Sequence, residues 1–136
     1  MIGRRTFAYI CACFVSTAVM ACNELNLLDG FVTDGVAPAG AQCTQYLAES
    51  GAEGVVCQWD FPYRAPTAIL LANRLRKQIH ACRRINAVLV DTPVNHPDSY
   101  NLRRWITQEA TYSLSTKDKS RSQSTFVFLR RQPRQR

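Results

Sequence analysis

The clearest pattern in the chain is a strand followed by a long helix. Apolar and polar side chains alternate from Val55 to Phe61, which is typical of a strand with one buried face. Apolar residues then recur every three or four positions, and this spacing predicts a helix over 66–85. Pro66 suits the first turn of that helix, where a backbone N–H needs no partner. Each element has one apolar side, so we expect the two to pack together.

Shorter strand patterns flank this pair, at 41–48, 87–90, 110–115 and 125–129. The strands and the helix are segregated along the chain rather than alternating regularly, which favours an α+β arrangement. The predicted fold class is therefore α+β: a small antiparallel sheet of about four strands, with one long helix packed on one face and disulfide bridges stapling the whole.

Two features of the C-terminal half qualify this picture. Asp98 or Ser99 could cap a short helix that runs through Trp105. The strand 125–129 is apolar on both sides, which predicts that both faces of the sheet are covered there. Three candidates could cover the second face: an apolar arm near Phe31, the short helix near Trp105, or a second copy of the chain in a homodimer.

The N-terminus has the pattern of a secretory signal peptide. Arg4 and Arg5 precede an uncharged segment, 6–21, that is rich in apolar side chains and ends in small residues. A helix of that length is too short to cross a bilayer of about 30 Å. We therefore expect the segment to be an export signal rather than part of the folded domain.

The end of this segment resembles the signal of bacterial lipoproteins, in which a cysteine becomes the lipid-bearing first residue of the mature protein. Val19 and Ala21 before Cys22 fit that family's pattern, whereas Met20 stands where a small residue is usual. The resemblance implies lipidation of Cys22, and Asn23 after it implies delivery to the outer membrane. Val19 and Ala21 also suit ordinary signal peptidase, so plain secretion is the alternative.

Composition shifts along the chain then predict its organisation. The segment 22–40 lacks basic residues and ends in a stretch rich in Gly, Ala and Pro, so we interpret it as a tether or arm. A single α+β domain is expected over 41–131. The last residues, 132–136, form a basic tail, and residues 1–21 are the signal peptide.

The cysteine positions predict which disulfides cross-link the domain. Export to an oxidising compartment makes disulfides the default for the cysteines that follow the signal. Cys57 lies on the apolar side of its strand and Cys82 on the apolar side of the helix, so a Cys57–Cys82 bridge is the preferred pairing. A Cys43–Cys57 bridge across a hairpin is the alternative. If Cys22 bears a lipid, one of the other three thiols is left over.

Charge is strongly segregated. The chain has 17 Lys and Arg residues against 10 Asp and Glu residues, a net charge of +7. Residues 22–63 contain six acidic and no basic residues, whereas residues 64–136 contain 15 basic and four acidic ones. A surface of one sign attracts partners of the opposite sign. For an exported protein these are an envelope protein or an anionic envelope surface, and the export signal argues against nucleic acid.

Candidate chemistry is sparse. Asn95, His96, Asp98 and Ser99 form the most polar cluster, and we interpret it as a candidate recognition loop. Residues so close together around a proline do not form a hydrolytic triad, which is defined by geometry. No other nucleophile, base or metal-ligand spacing appears, so we expect no catalytic residues, no metal and no cofactor.

These patterns lead to a functional expectation without a named activity. The sequence predicts a small exported protein, lipid-anchored in the cell envelope or periplasmic, that acts as a binding or accessory module through its basic C-terminal half. In this interpretation the membrane is reached only through the lipid. The alternative is an inhibitor or immunity-type protein of a secreted enzyme, because small size, export and disulfides suit that class equally well.

Overall fold

A computed structural model describes residues 22–94 and 98–134 of the chain. Within this part the strands form one antiparallel sheet in the order β1-β2-β6-β5-β4-β3, accompanied by two helices. The elements are α1 (Asn23–Asp34), β1 (Gln42–Leu47), β2 (Glu53–Pro62), α2 (Pro66–Cys82), β3 (Ala87–Val90), β4 (Tyr100–Ile106), β5 (Ala110–Lys119) and β6 (Ser124–Pro133).

The prediction of about four strands and one long helix is wrong, because the described residues form six strands and two helices. The strand with no counterpart among the five sequence patterns is β4, where a short helix was expected. Arg103 and Arg104 put a cation on each face of β4, which hides its alternation. The expected helix cap is absent as well, since the Asp98 carboxylate accepts hydrogen bonds from Ser120 in the turn before β6.

The added helix is α1, in the segment interpreted from the sequence as a tether. Leu25 and Leu28 lie one turn apart and are 1% and 0% exposed, so this helix is part of the core. It ends at Gly35, whose φ of 66° is the left-handed conformation that glycine adopts without strain. The N-terminal end lacks the usual sequence signal, because Cys22 makes no side-chain cap, and Gly30 in the helix interior lowers the helix propensity. Packing therefore stabilises α1 more than its intrinsic propensity does.

The core lies between the two helices and one face of the sheet. Val127 and Leu129 of β6 point into it and are fully buried, together with Ile79 of α2. Because side chains alternate along a strand, Phe126 and Phe128 point to the opposite face, where they are half-buried. Neither the arm near Phe31 nor the segment at Trp105 covers that second face.

An ion network centred on Asp29 holds α1 to both other layers. Its carboxylate accepts the Tyr112 hydroxyl at 2.9 and 3.0 Å, pairs with Arg83 just after α2, and lies 3.2 Å from Arg131 of β6. Burial raises the pKa of the Tyr112 phenol, and the neighbouring Asp29 charge adds to that rise. Tyr112 therefore remains protonated and donates to Asp29.

The charge segregation seen in the sequence is partly explained by these contacts. A second acidic residue of α1, Glu24, pairs with Arg74 of α2 at 2.7 Å and accepts a hydrogen bond from the buried Gln78 amide at 2.5 Å. The acidic N-terminal segment thus binds part of the basic half of its own chain. Opposite charges on the two segments favour docking of α1 on α2 and β6.

Two disulfides are present among the described cysteines. Cys43 and Cys57 are directly opposite each other on β1 and β2 and form the hairpin bridge that was the alternative expectation. Cys82 pairs with Cys22, just before α1, so the preferred Cys57–Cys82 pairing is corrected. That pairing was argued from the inward-facing positions of Cys57 and Cys82 and did not foresee that α1 folds onto α2. The Cys22–Cys82 bridge uses the sulfur that a thioether-linked lipid would need.

The two bridges should stabilise the fold to different extents. Their cysteines are 60 and 14 residues apart in sequence. In the chain-entropy model, replacing Cys22 and Cys82 by alanine should lower the free energy of unfolding by about 4 kcal/mol, and replacing Cys43 and Cys57 by about 3 kcal/mol. Guanidinium titration of both double variants measures this. A negligible loss for the first pair would show that α1 does not depend on its bridge.

Candidate functional site

The face of the sheet turned away from the helices presents Arg104, Lys117 and Arg130 around one groove. We call it the open face. Antiparallel register places side chains of neighbouring strands in rows across it. One row runs through Arg130, Ser113 and Arg104, from β6 across β5 to β4. Ser113 therefore lies between two arginines in this row.

Each arginine of this row is held by a neighbour. Asp91, directly after β3, accepts two hydrogen bonds from Arg104 Nη2, at 2.9 and 3.0 Å. The guanidinium carbon of Arg130 lies 4.9 Å from the centre of the Tyr46 ring, a cation–π contact. Arg104 Nε is shielded from solvent and has no hydrogen-bond acceptor within the part of the chain that the structure describes.

Tyr46 can take this position because its cross-strand neighbour is Gly54. A Cβ atom on residue 54 would lie 2.2 Å from Tyr46 Cζ, so any side chain there would expel the ring. The Tyr46 hydroxyl donates to Gln132 Oε1 at 3.3 Å. Burial raises the pKa of Tyr46, although the nearby Arg130 charge opposes that shift. Gly54 therefore leaves room for the Tyr46 ring, on which the Arg130 guanidinium stacks.

The next row on the open face is less polar. It runs through Phe128, Ser115 and Leu102, and Ser115 at its centre is only 8% exposed although neither α1 nor α2 covers it. Phe128 also lies beside Phe126, with ring centroids 6.1 Å apart. Half-buried side chains on an uncovered face indicate a hollow rather than a flat surface.

This hollow is a groove of about 550 Å³. Such a volume is within the range of small-molecule sites, roughly 300–1,000 Å³. The groove is lined by residues of β4, β5 and β6: Tyr100, Leu102, Arg104, Thr111, Ser113, Ser115, Lys117, Phe128, Arg130 and Gln132. Three of these residues are cationic and none is acidic.

The charges in the groove differ in how far they are neutralised. Arg104 is paired with Asp91, but Arg130 and Lys117 form no ion pair with any described acidic residue. On the opposite face, by contrast, Arg83 and Arg131 are both bound to Asp29. Two cations of the open face, Arg130 and Lys117, are therefore free to meet a partner. Chemically, the groove offers hydrogen-bond donors and positive charge to an oxyanion.

The described part of the candidate recognition loop, Asp98 and Ser99, makes contacts within the domain. Asp98 accepts hydrogen bonds from the Ser120 backbone and side chain, at 3.0 and 2.9 Å. The Ser99 hydroxyl donates to Asp118 of β5 at 2.5 Å. Both side chains thus tie the loop to the β5–β6 hairpin. Asn95 and His96 lie outside the described residues.

The groove residues were missed by the sequence reasoning, although one signal was present. Thr111, Ser113 and Ser115 alternate with apolar residues, which marks one polar side of β5. Arg104 and Arg130 join that side only through the register of β4 and β6. Arg103, which precedes Arg104 in the sequence, points to the helix-bearing side.

Comparison with known proteins adds little to this geometry. No protein-family model and no curated protein matches the chain. Among solved structures, the chain is distantly similar to the crystal structure of CalU16 from Micromonospora echinospora, with 9% identity and a TM-score of 0.30. The match covers 68% of this chain and 66% of that one, just under two thirds. At this TM-score the likeness supports no conclusion about fold or function.

Within 22–94 and 98–134, neither α1 nor α2 is long and apolar enough to span a bilayer.

The link between Asp98 and Ser120 should depend on pH in a defined way. The hydrogen bonds from Ser120 lower the pKa of the Asp98 carboxyl below its ordinary value. The resulting stabilisation is complete above the carboxyl's unfolded pKa, about 3.9, and is lost as pH falls through the lowered value. In an NMR titration, the chemical shift of the Ser120 amide should change with its midpoint at this lowered pKa. The change should be absent in Asp98→Asn. A midpoint at or above about 3.9 would contradict the assignment.

Proposed function

We propose that this chain is an exported binding module whose open face receives a negatively charged group of a partner in the cell envelope. The observation that supports this most directly is the groove, in which Arg104, Lys117 and Arg130 are present without a lining carboxylate. Such an arrangement attracts anions and holds them with charge-assisted hydrogen bonds. The helices are packed on the other face and leave this one for the partner.

Export is supported by two independent features. Two disulfides join cysteines in the described residues, and such bridges persist in oxidising compartments outside the cytoplasm. The positive start and uncharged apolar run of 1–21 supply an export signal. Because the Cys22 sulfur is bonded to Cys82, we propose release by ordinary signal peptidase after Ala21 rather than lipid attachment to Cys22.

A second candidate function, inhibition of a secreted enzyme, is favoured by the edge strand β3. Val88, Leu89 and Val90 are 45%, 46% and 59% exposed and carry no charge. Sheet edges are usually protected by charge, proline or a covering element, because an unpaired edge can accept a further strand. An inhibitor that adds its edge to an enzyme would use β3 rather than the groove.

Site-specific photocrosslinking in the native host separates these proposals. A photoreactive residue at Thr111 reports on the open face, one at Val88 on the β3 edge, and one at the exposed Ala81 of α2 is the control. We expect envelope adducts from Thr111 that disappear when Arg104 and Arg130 are both changed to glutamine, since the attracting charge is then removed.

Other outcomes assign the function differently. A Val88 adduct that survives the arginine changes would favour the inhibitor. Equal adducts from Ala81 and Thr111, or a Thr111 adduct insensitive to the loss of both arginines, would overturn the proposed role of the open face.

A further inference from the structure

We propose that the groove of the open face binds a small amphiphilic anion, with its oxyanion at Arg104, Ser113 and Arg130 and its apolar body beside Phe128 and Leu102. This inference rests on the proposed function, since it names the ligand class of the same surface. The oxyanion is a carboxylate or a phosphate monoester, because both present several acceptor oxygens to arginine donors.

The polar end of the site follows from one cross-strand row. Neighbours in such a row are about 5 Å apart at Cβ, so Arg130 and Arg104 lie on either side of Ser113, and all three residues line the groove. Asp91 occupies Nη2 of Arg104 and fixes that side chain, while Nε of the same guanidinium lacks an acceptor. The Arg104 side chain is 41% exposed, so a bound oxyanion would meet its accessible part and would neutralise Arg130, which has no acidic partner among the described residues.

The apolar end follows from the next row. Phe128 and Leu102 are each two residues from an arginine of the first row and share its face, about 7 Å away along the strands. Ser115, between them, is 8% exposed and forms the floor of the groove. Lys117 lies one row further along β5 and limits the apolar stretch. A ligand with a charged head and a short hydrocarbon or aromatic body matches this order of a polar row followed by an apolar row.

The same chemistry occurs in free amphiphiles and in lipids that remain in a membrane. The hollow shape favours the free molecule, because a groove of about 550 Å³ can enclose a small ligand but not a flat bilayer surface. The experiment therefore includes both sources.

The test uses octanoate and octyl phosphate as probes. Octanol, which lacks the anionic head, and inorganic phosphate, which lacks the apolar body, are the controls. Calorimetry and backbone NMR on the disulfide-bonded protein should show saturable binding of at least one amphiphilic anion, centred on Ser113. Octanol and inorganic phosphate should bind at least about ten-fold more weakly, since each loses one set of contacts.

Matched variants localise the site. Arg104→Gln and Arg130→Gln should each weaken binding about ten-fold, because each removes charge-assisted hydrogen bonds. Arg103→Gln makes the same charge change on the other face of β4 and should leave affinity within about two-fold. Arg130 is exposed, so its replacement leaves the core intact even if Arg104→Gln unfolds the protein.

Four results would overturn the inference. These are equal weakening by Arg103→Gln and Arg130→Gln, equal binding of octanol and octanoate, no binding of either anion, and binding only to vesicles of anionic phospholipid. A Thr111 crosslink that needs both arginines, obtained together with failure of both probes, would retain the open face as a docking surface while rejecting the small amphiphile.

Discussion

The attachment of α1 to α2 is the constraint on which the rest of the structure depends. The Cys22–Cys82 bridge makes it covalent, and the Asp29 network extends it to β5 and β6. With α1 in place, Leu25 and Leu28 complete the core on one face of the sheet. Without it, β2 and β6 would lose apolar cover on that side. The two helices together thus determine which sheet face is interior and which is exposed.

The position of α1 also determines which basic side chains are neutralised. The acidic residues of α1 neutralise Arg74, Arg83 and Arg131. On the open face, Arg130 and Lys117 have no ion-pair partner among the described acidic residues. Arg130 and Arg131 illustrate this difference, because they are adjacent in sequence and point to opposite faces of the sheet. Arg131 reaches Asp29, whereas Arg130 stacks on Tyr46 beside the groove. The neutralised Arg131 and the unpaired Arg130 are the basis of the anion site that we propose for the open face.

The sequence predicted the elements whose periodicity is regular and missed those whose stability comes from tertiary contacts. The alternation around Cys57 and the helical spacing after Pro66 correspond to β2 and α2. The helix α1 was missed because Gly30 weakens its propensity and its stability comes from the core and from Cys82. In β4, cations at Arg103 and Arg104 concealed the alternation.

The groove could be predicted only in part, for a related reason. The polar side of β5 is visible in the sequence at Ser113 and Ser115. Its union with Arg104 and Arg130 requires the register of three strands, which local patterns do not contain. Similarly, Cys57 was correctly placed on a buried strand face, but its partner depended on a hairpin whose first strand, at Cys43, had only a short pattern.

Disulfide mapping of the protein isolated from its native host tests the central constraint most directly. Trypsin leaves Cys22, Cys43 and Cys57 on one peptide, because residues 22–63 contain no Lys or Arg. Chymotryptic cleavage after Phe31 and Tyr46 then separates the three. The account predicts a non-reduced peptide pair that joins Cys22 to Cys82. A Cys57–Cys82 pair, or a lipid on Cys22 with Cys82 left as a thiol, would contradict it.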